Sequence, residues 1–158
     1  MVEHRTVSEM LADIQQSQQA FLDSLDQADD ATLYQRYAEQ EWTIAENLVH
    51  VSEARLFFTA EVRRALSMPR SSVGRTITDP ARVQNVLDHG QDPRDTIAKQ
   101  LAESYEQVIS TLERMHDDDL RTKVEHIKYG PQTLTEFIQH FIVEHDQAHV
   151  GQIMILLV

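Results

Sequence analysis

The sequence predicts an all-α fold, a four-helix bundle, on three observations. Four long stretches carry apolar residues at helical spacing, each is preceded by a start signal, and turn residues are scarce. Glycine and proline number four each in 158 residues, whereas an all-β chain needs a turn signal about every 8–12 residues.

The first helix opens at the capping box Thr6-Val7-Ser8-Glu9, with its stripe on Val7, Met10, Leu11, Ile14, Phe21, Leu22 and Leu25. In such a box the hydroxyl and the carboxylate satisfy backbone N–H groups that the first turn leaves free. The second opens at Thr43-Ile44-Ala45-Glu46 and runs to about Leu66, ahead of Pro69. The third starts at Asp92-Pro93, an N-cap followed by proline at the first helical position. Its stripe is Ile97, Leu101, Tyr105, Val108, Leu112 and Met115. The fourth opens at Thr133-Leu134-Thr135-Glu136 and continues through Phe137, Ile138, Phe141 and Ile142 to the C-terminus.

Between them, residues 28–41 and 116–132 read as medium linkers. Residues 67–91 read as a long polar one, broken by Pro69, Gly74, Pro80 and Gly90. A loop of that length is commonly functional or mobile. No repeat, low-complexity tract or domain linker interrupts the chain, so one domain over residues 1–158 is expected.

Lysine and arginine total 14 and aspartate and glutamate 26, a net charge of −12. That sign repels phosphate backbones and no basic run offsets it, so no nucleic-acid partner is expected. The absence of cysteine excludes disulfides, thiolate-ligated zinc and a cysteine nucleophile. Any metal must be held by His, Asp or Glu, and any thiol must come from outside. Residues 1–9 are charged and lack the apolar core of a signal peptide. The longest apolar run, residues 153–158, falls far short of the roughly 20 residues needed to cross a bilayer. A cytoplasmic location without membrane contact is the expectation.

Among eight histidines, His145 and His149 stand four apart on the fourth helix. On a helix surface that spacing brings Cβ atoms within roughly 5–6 Å, and two imidazoles can then reach one ion at about 2.0–2.1 Å. A uniform helical step points both the same way as Ile138, Phe141, Ile142 and Ile153, toward the core. Two imidazoles there leave ring nitrogens to be satisfied, and a metal satisfies both. His50 lies on the second helix on a face with Asn47, Val51, Ala54, Phe57 and Phe58. A lone histidine on such a face is more often a satisfied core residue. Taken with a pair on a neighbouring helix, it completes a tripod with open coordination positions, the catalytic rather than the closed structural pattern. Asn47, Glu53 and Gln152 lie within a turn of these histidines and are candidates to orient a ring. Glu46 points the same way but is expected to be occupied by capping. His140 faces elsewhere, and His4, His89, His116 and His126 are expected at the solvated surface.

Two segments together resemble a known family. Trp42-Thr43-Ile44-Ala45-Glu46-Asn47-Leu48-Val49-His50 is similar to the W-[ST]-x-x-E-x-L-x-H signature of DinB/YfiT-like proteins. His145-Asp146-Gln147-Ala148-His149-Val150-Gly151-Gln152-Ile153 resembles their H-x-x-x-H-x-G-Q-[IL] segment. The resemblance implies an up-down-down-up bundle, frequently a homodimer. It also implies a divalent metal held by His50, His145 and His149, nickel or zinc foremost and iron or manganese within range. Some relatives are thiol-dependent S-transferases, which implies a small-molecule substrate and a low-molecular-weight thiol cofactor activated by the metal. A hydrolase using metal-activated water is the alternative within enzymes. A non-catalytic metal-binding or small-molecule-binding stress protein is the alternative outside them.

Overall fold

The structure, a computed structural model, describes residues 4–158. Residues 1–3, the start of the charged stretch that argued against a signal peptide, lie outside the described residues.

Helix α1 (Val7–Gln27) begins where the capping box places it, with Glu9 N donating to Thr6 Oγ1 and Thr6 N to Glu9 Oε1. A single turn, α2 (Asp30–Leu33), is capped by the Asp29 carboxylate. Helix α3 (Ile44–Ser67) repeats the box, Thr43 N donating to Glu46 Oε1 at 2.8 Å and Glu46 N to Thr43 Oγ1 at 3.0 Å. Then come α4 (Pro80–His89) and α5 (Arg94–Glu113). The last rod consists of α6 (Leu134–Ile138), a π-helical segment (Gln139–Glu144) and α7 (His145–Leu157). Thr133 and Glu136 form its capping box.

The core has two layers, and their membership gives the directions of the helices. One layer joins Phe21 and Leu25 of α1 to Ile44 and Leu48 of α3, Ile97 and Leu101 of α5, and Ile153 of α7. The other joins Val7, Met10 and Ile14 to Phe58 and Val62, Val108 and Leu112, and Leu134, Phe137 and Ile138. The first layer therefore holds the C-terminal ends of α1 and α7 and the N-terminal ends of α3 and α5. The order is up-down-down-up. Helix α1 packs against α5 and α7, and α3 packs against the same two, so α1 lies diagonal to α3 and α5 diagonal to α7, while the consecutive α3 and α5 are neighbours.

The linkers hold more structure than their polarity suggests. Residues 67–91 contain β1 (Ser72–Val73) and α4, whose Asp79 carboxylate caps Ala81 N with Pro80 at the first position. Residues 116–132 contain a 3₁₀ turn (Asp117–Arg121) and the strand β2 (Lys123–His126); β3 (Gly130–Thr133) follows. Strand β2 pairs in parallel with β1 and antiparallel with β3, adding a three-stranded sheet to the helical fold. Alternation along β2 buries Val124 and His126, which corrects the surface expectation for His126. Its ring stacks on Phe141 at 4.8 Å, and its Nδ1 accepts from Lys128 N and Tyr129 N. His4 and His116 are exposed and His89 half-buried. Helix α5 starts later than expected: Pro93 is the N-cap, without a side-chain cap. Asp92 is spent on the His89 ring at 2.9 Å, and its carbonyl accepts from the Tyr34 hydroxyl. Among the described residues no helix is long and apolar enough to cross a membrane.

Between the two apolar layers lies a polar slab to which every long helix contributes. Arg55 of α3 donates to Asp146 of α7 through Nη2 at 2.9 Å and Nε at 3.2 Å, and to Gln18 of α1 at 2.7 Å. Phe21 and Tyr105 flank the guanidinium, and Ser104 of α5 lies at its edge. Arg55, Asp146, Gln18 and Ser104 are all buried.

Candidate metal centre

The three histidines meet. Their ligand-capable nitrogens lie within 4.8 Å of one another, and the Nε2 atoms of His50 and His145 face each other at 3.1 Å. Two nitrogens bound to one ion at about 2.0–2.1 Å stand roughly 2.9–3.4 Å apart, so this pair already has the spacing of co-ligands.

The π-helical segment explains how one helix supplies both a core anchor and two site residues. A uniform helical step puts His145 and His149 on the core face. One extra residue in a wide turn rotates the phase by roughly 100°. Immediately after the segment, Asp146 is fully buried against Arg55, while His145 is half-buried and His149, itself buried, lines the cleft beside it. The core face belongs to Asp146, and the histidine pair lies on its flank, facing a cleft.

Each ring has a different partner behind it. His149 Nδ1 donates to Asn47 Oδ1 at 2.8 Å, while Asn47 Nδ2 donates to the Thr43 carbonyl at 3.0 Å. The second bond sets the amide so that its oxygen meets the ring, leaving His149 Nε2 with a free lone pair. His50 Nδ1 is buried without a hydrogen-bond partner, and Glu53 Oε1 stands 3.9 Å from it. Glu53 is held by both arms of Arg75, at 2.5 and 2.7 Å, and that guanidinium lies 4.3 Å over Phe57. Gln152 reaches the rim of the cleft, but the bond that orients His149 comes from Asn47. Glu46 serves its cap and Arg36. His140 is exposed, as its phase predicts.

Burial above all drives the three imidazoles to their neutral form, aided by positive charge nearby. It pushes His50 to about 2, His145 to about 3 and His149 to about 4. Neutral nitrogens that converge, one with its tautomer set and one with an orphaned Nδ1 3.9 Å from a carboxylate, make a donor set that fits a divalent ion.

The site opens into a cleft of about 500 Å³ lined by Trp42, Asn47, Arg82, His145, His149, Gln152 and, at its outer end, Ile155. Trp42 packs 4.9 Å from the His50 ring and 6.2 Å from that of His149. Sequence reasoning missed Arg82, Arg75 and the Arg55–Asp146 pair. Arg82 and Arg75 lie in a segment read as linker, and nothing in the spacing of Arg55 and Asp146 links residues so far apart.

A helical bundle in which three histidines converge at an open cleft has the donor set of a candidate metal site. The chain is a member of the DinB superfamily, whose family model matches residues 13–153. No curated protein sequence matches it. Its fold is similar to that of YfiT from Bacillus subtilis, described as a probable metal-dependent hydrolase with an unusual four-helix bundle topology. That likeness has a TM-score of 0.80 at 14% identity, over 95% of this chain and 85% of the other. The mycothiol-dependent maleylpyruvate isomerase is similar with a TM-score of 0.79 at 12% identity; the match covers 97% of this chain but only 62% of that one. The colibactin self-resistance protein ClbS, solved in complex with double-stranded DNA, matches with a TM-score of 0.72 at 13% identity, over 96% and 95% of the two chains.

Proposed function

We propose that this protein is a metal-dependent enzyme in which His50, His145 and His149 hold one divalent ion, nickel or zinc foremost. In this reading a low-molecular-weight thiol gives up its proton and, as the intact thiolate, forms a bond from sulfur to an electrophilic carbon of a small substrate, from which a leaving group departs. The observation that carries the reading is the convergence of three neutral imidazoles at the floor of an open cleft. A bound divalent ion supplies Lewis acidity there, lowering the pKa of a coordinated thiol so that thiolate exists at neutral pH.

The chain's own residues supply the rest. Asn47 holds His149 in the tautomer whose Nε2 faces the cleft. The Glu53–Arg75 pair stands behind His50 and favours the tautomer with its proton on Nδ1. Trp42 covers two of the rings and keeps water off that side of the site. The chain has no cysteine, so no thiol of its own competes with an incoming one. The fold it shares with a mycothiol-dependent isomerase adds support for a thiol. Hydrolysis is the second reading, favoured by the description of YfiT. Apolar Met154 and Ile155, 57% and 75% exposed on α7, support self-association as a homodimer.

The test is elemental analysis of untagged protein purified without chelator, beside the His50→Ala variant. About one equivalent of metal in the wild type and little in the variant is expected from a three-ligand site. No uptake of any divalent ion, even in excess, would sink the reading. Loaded protein is then screened with thiols and electrophiles. Ester or amide turnover without any thiol would transfer the assignment to hydrolysis.

A further inference from the structure

Among the described residues, Arg82 is a cation of the cleft without a direct ion-pair partner; Glu53, which attracts it from farther off, is already held by Arg75. Helix α4 exists because Asp79 and Pro80 start it, and its Val86 is buried while Arg82, one turn earlier, is half-buried over the cleft. The Arg82 guanidinium lies 5.3 Å over the Trp42 ring, and its Nη1 donates to the Ile77 carbonyl at 2.8 Å. A guanidinium has five N–H donors in a planar fork, so most of this one is unspent. Among the described residues no carboxylate lies within ion-pair distance of it: the ion pairs of the chain do not include Arg82. Arg75, the other guanidinium nearby, is neutralised by both oxygens of Glu53. Glu41, the one acid on the cleft wall, is exposed and makes no pair with Arg82.

In a chain of net charge −12 carboxylates are abundant, yet half-buried Arg82 has none in direct contact, and the cost of its desolvation is offset only by the more distant Glu53. That cost is recovered when an anion enters. A planar carboxylate matches the fork with two parallel hydrogen bonds. Trp42 links the two halves of the cleft, with Arg82 over its face and the His50 and His149 rings beside it. A small molecule can therefore place a carboxylate on Arg82 and its reacting end at the histidines.

We propose that Arg82 is a specificity-determining residue, and that the cleft selects small molecules bearing a carboxylate that Arg82 binds. The inference rests on the metal-dependent reading for its reaction but not for its binding. The carboxylate belongs either to the thiol or to the electrophile, and two measurements separate these sources.

Trp42 is the only tryptophan, and its fluorescence reports on the cleft. In the first measurement, chelator-treated full-length protein is titrated with succinate and with uncharged succinamide. Saturable binding of succinate, about tenfold tighter than succinamide, is expected. That preference should disappear in Arg82→Gln and survive in part in Arg82→Lys, with unchanged far-UV circular dichroism in both. Equal response to the two probes in the wild type, or a preference that persists in Arg82→Gln, overturns the proposal. In the second, cobalt(II)-loaded protein is titrated with 3-mercaptopropionate and 2-mercaptoethanol, reading thiolate-to-cobalt absorption. A preference for the acid that is lost in Arg82→Gln places the carboxylate on the thiol. No preference there, beside a positive first measurement, places it on the electrophile. Failure to bind cobalt defeats the metal reading alone, and the first measurement still decides the role of Arg82.

Discussion

Arg55 and Asp146 form a fully buried ion pair at the centre of the bundle, joined by two hydrogen bonds to Oδ2 at 2.9 and 3.2 Å. Asp146 is the neighbour of His145 in sequence, and the pair anchors α7 at the rotation that turns His145 and His149 toward the cleft. A desolvated pair contributes little net stability when intact, because attraction only offsets the loss of water, but it penalises any arrangement that separates its members.

Arg55→Met removes the cation and leaves Asp146 buried alone, beside Gln18 and Ser104. A loss of about 3–5 kcal/mol is expected, in line with the breaking of other buried pairs. Urea unfolding of metal-free protein measures it. A loss under about 1 kcal/mol, the scale of one ordinary hydrogen bond, would show that the slab does not anchor the bundle.

Asn47→Leu keeps the branched shape of a buried side chain and removes the acceptor for His149 Nδ1. The ring then samples both tautomers and more orientations, and metal affinity is expected to fall about 10–100-fold with the fold intact. Competition titration with a chromogenic chelator reads this directly. Unaltered affinity would mean that Asn47 does not orient the ligand.

The metal-free protein should lose stability on mild acidification. The three histidines titrate at about 2, 3 and 4 when folded, below their ordinary 6.5. The unfolded chain therefore takes up protons that the folded chain refuses. Stability is complete above about pH 6.5 and falls as pH drops toward the folded values. The Tm of chelated protein should decline between pH 7 and 5, and His145→Gln should flatten that decline. A Tm independent of pH over this window would contradict the burial of neutral rings.

Gly74→Ala and Gly130→Ala separate strain from collision. Both residues have positive φ, +93° and +76°, where a side chain costs about 1–3 kcal/mol. At Gly130 an added Cβ meets nothing, whereas at Gly74 it falls 2.7 Å from His126 Cδ2. Thermal unfolding should show the larger loss for Gly74→Ala, which also pushes the His126 ring off Phe141. Equal losses would mean that the ring moves aside freely.

The long helices were legible because their signals are local. The capping boxes at Thr6, Thr43 and Thr133 all form, and the apolar stripes lie in the two core layers except for Leu22, which is exposed. The Asp92-Pro93 start was displaced because Asp92 found a stronger partner in His89. The small sheet was hidden because strands of two to four residues leave little periodicity, and β1 pairs with β2 across some fifty positions while only β2 and β3 form a local hairpin. His126 looked like a linker residue because period-two alternation over four residues is weak.

Sequence alone determined the four helices, three of their starts, and the candidates His50, His145 and His149, since capping and spacing are properties of adjacent residues. The tertiary structure decided what those residues face. A π-helical turn gave the core position to Asp146 and the flank to the histidines, and α4 brought Arg82 to the same cleft. Orientation of that kind depends on phase and on partners distant in the chain, and neither is written in the spacing of neighbours.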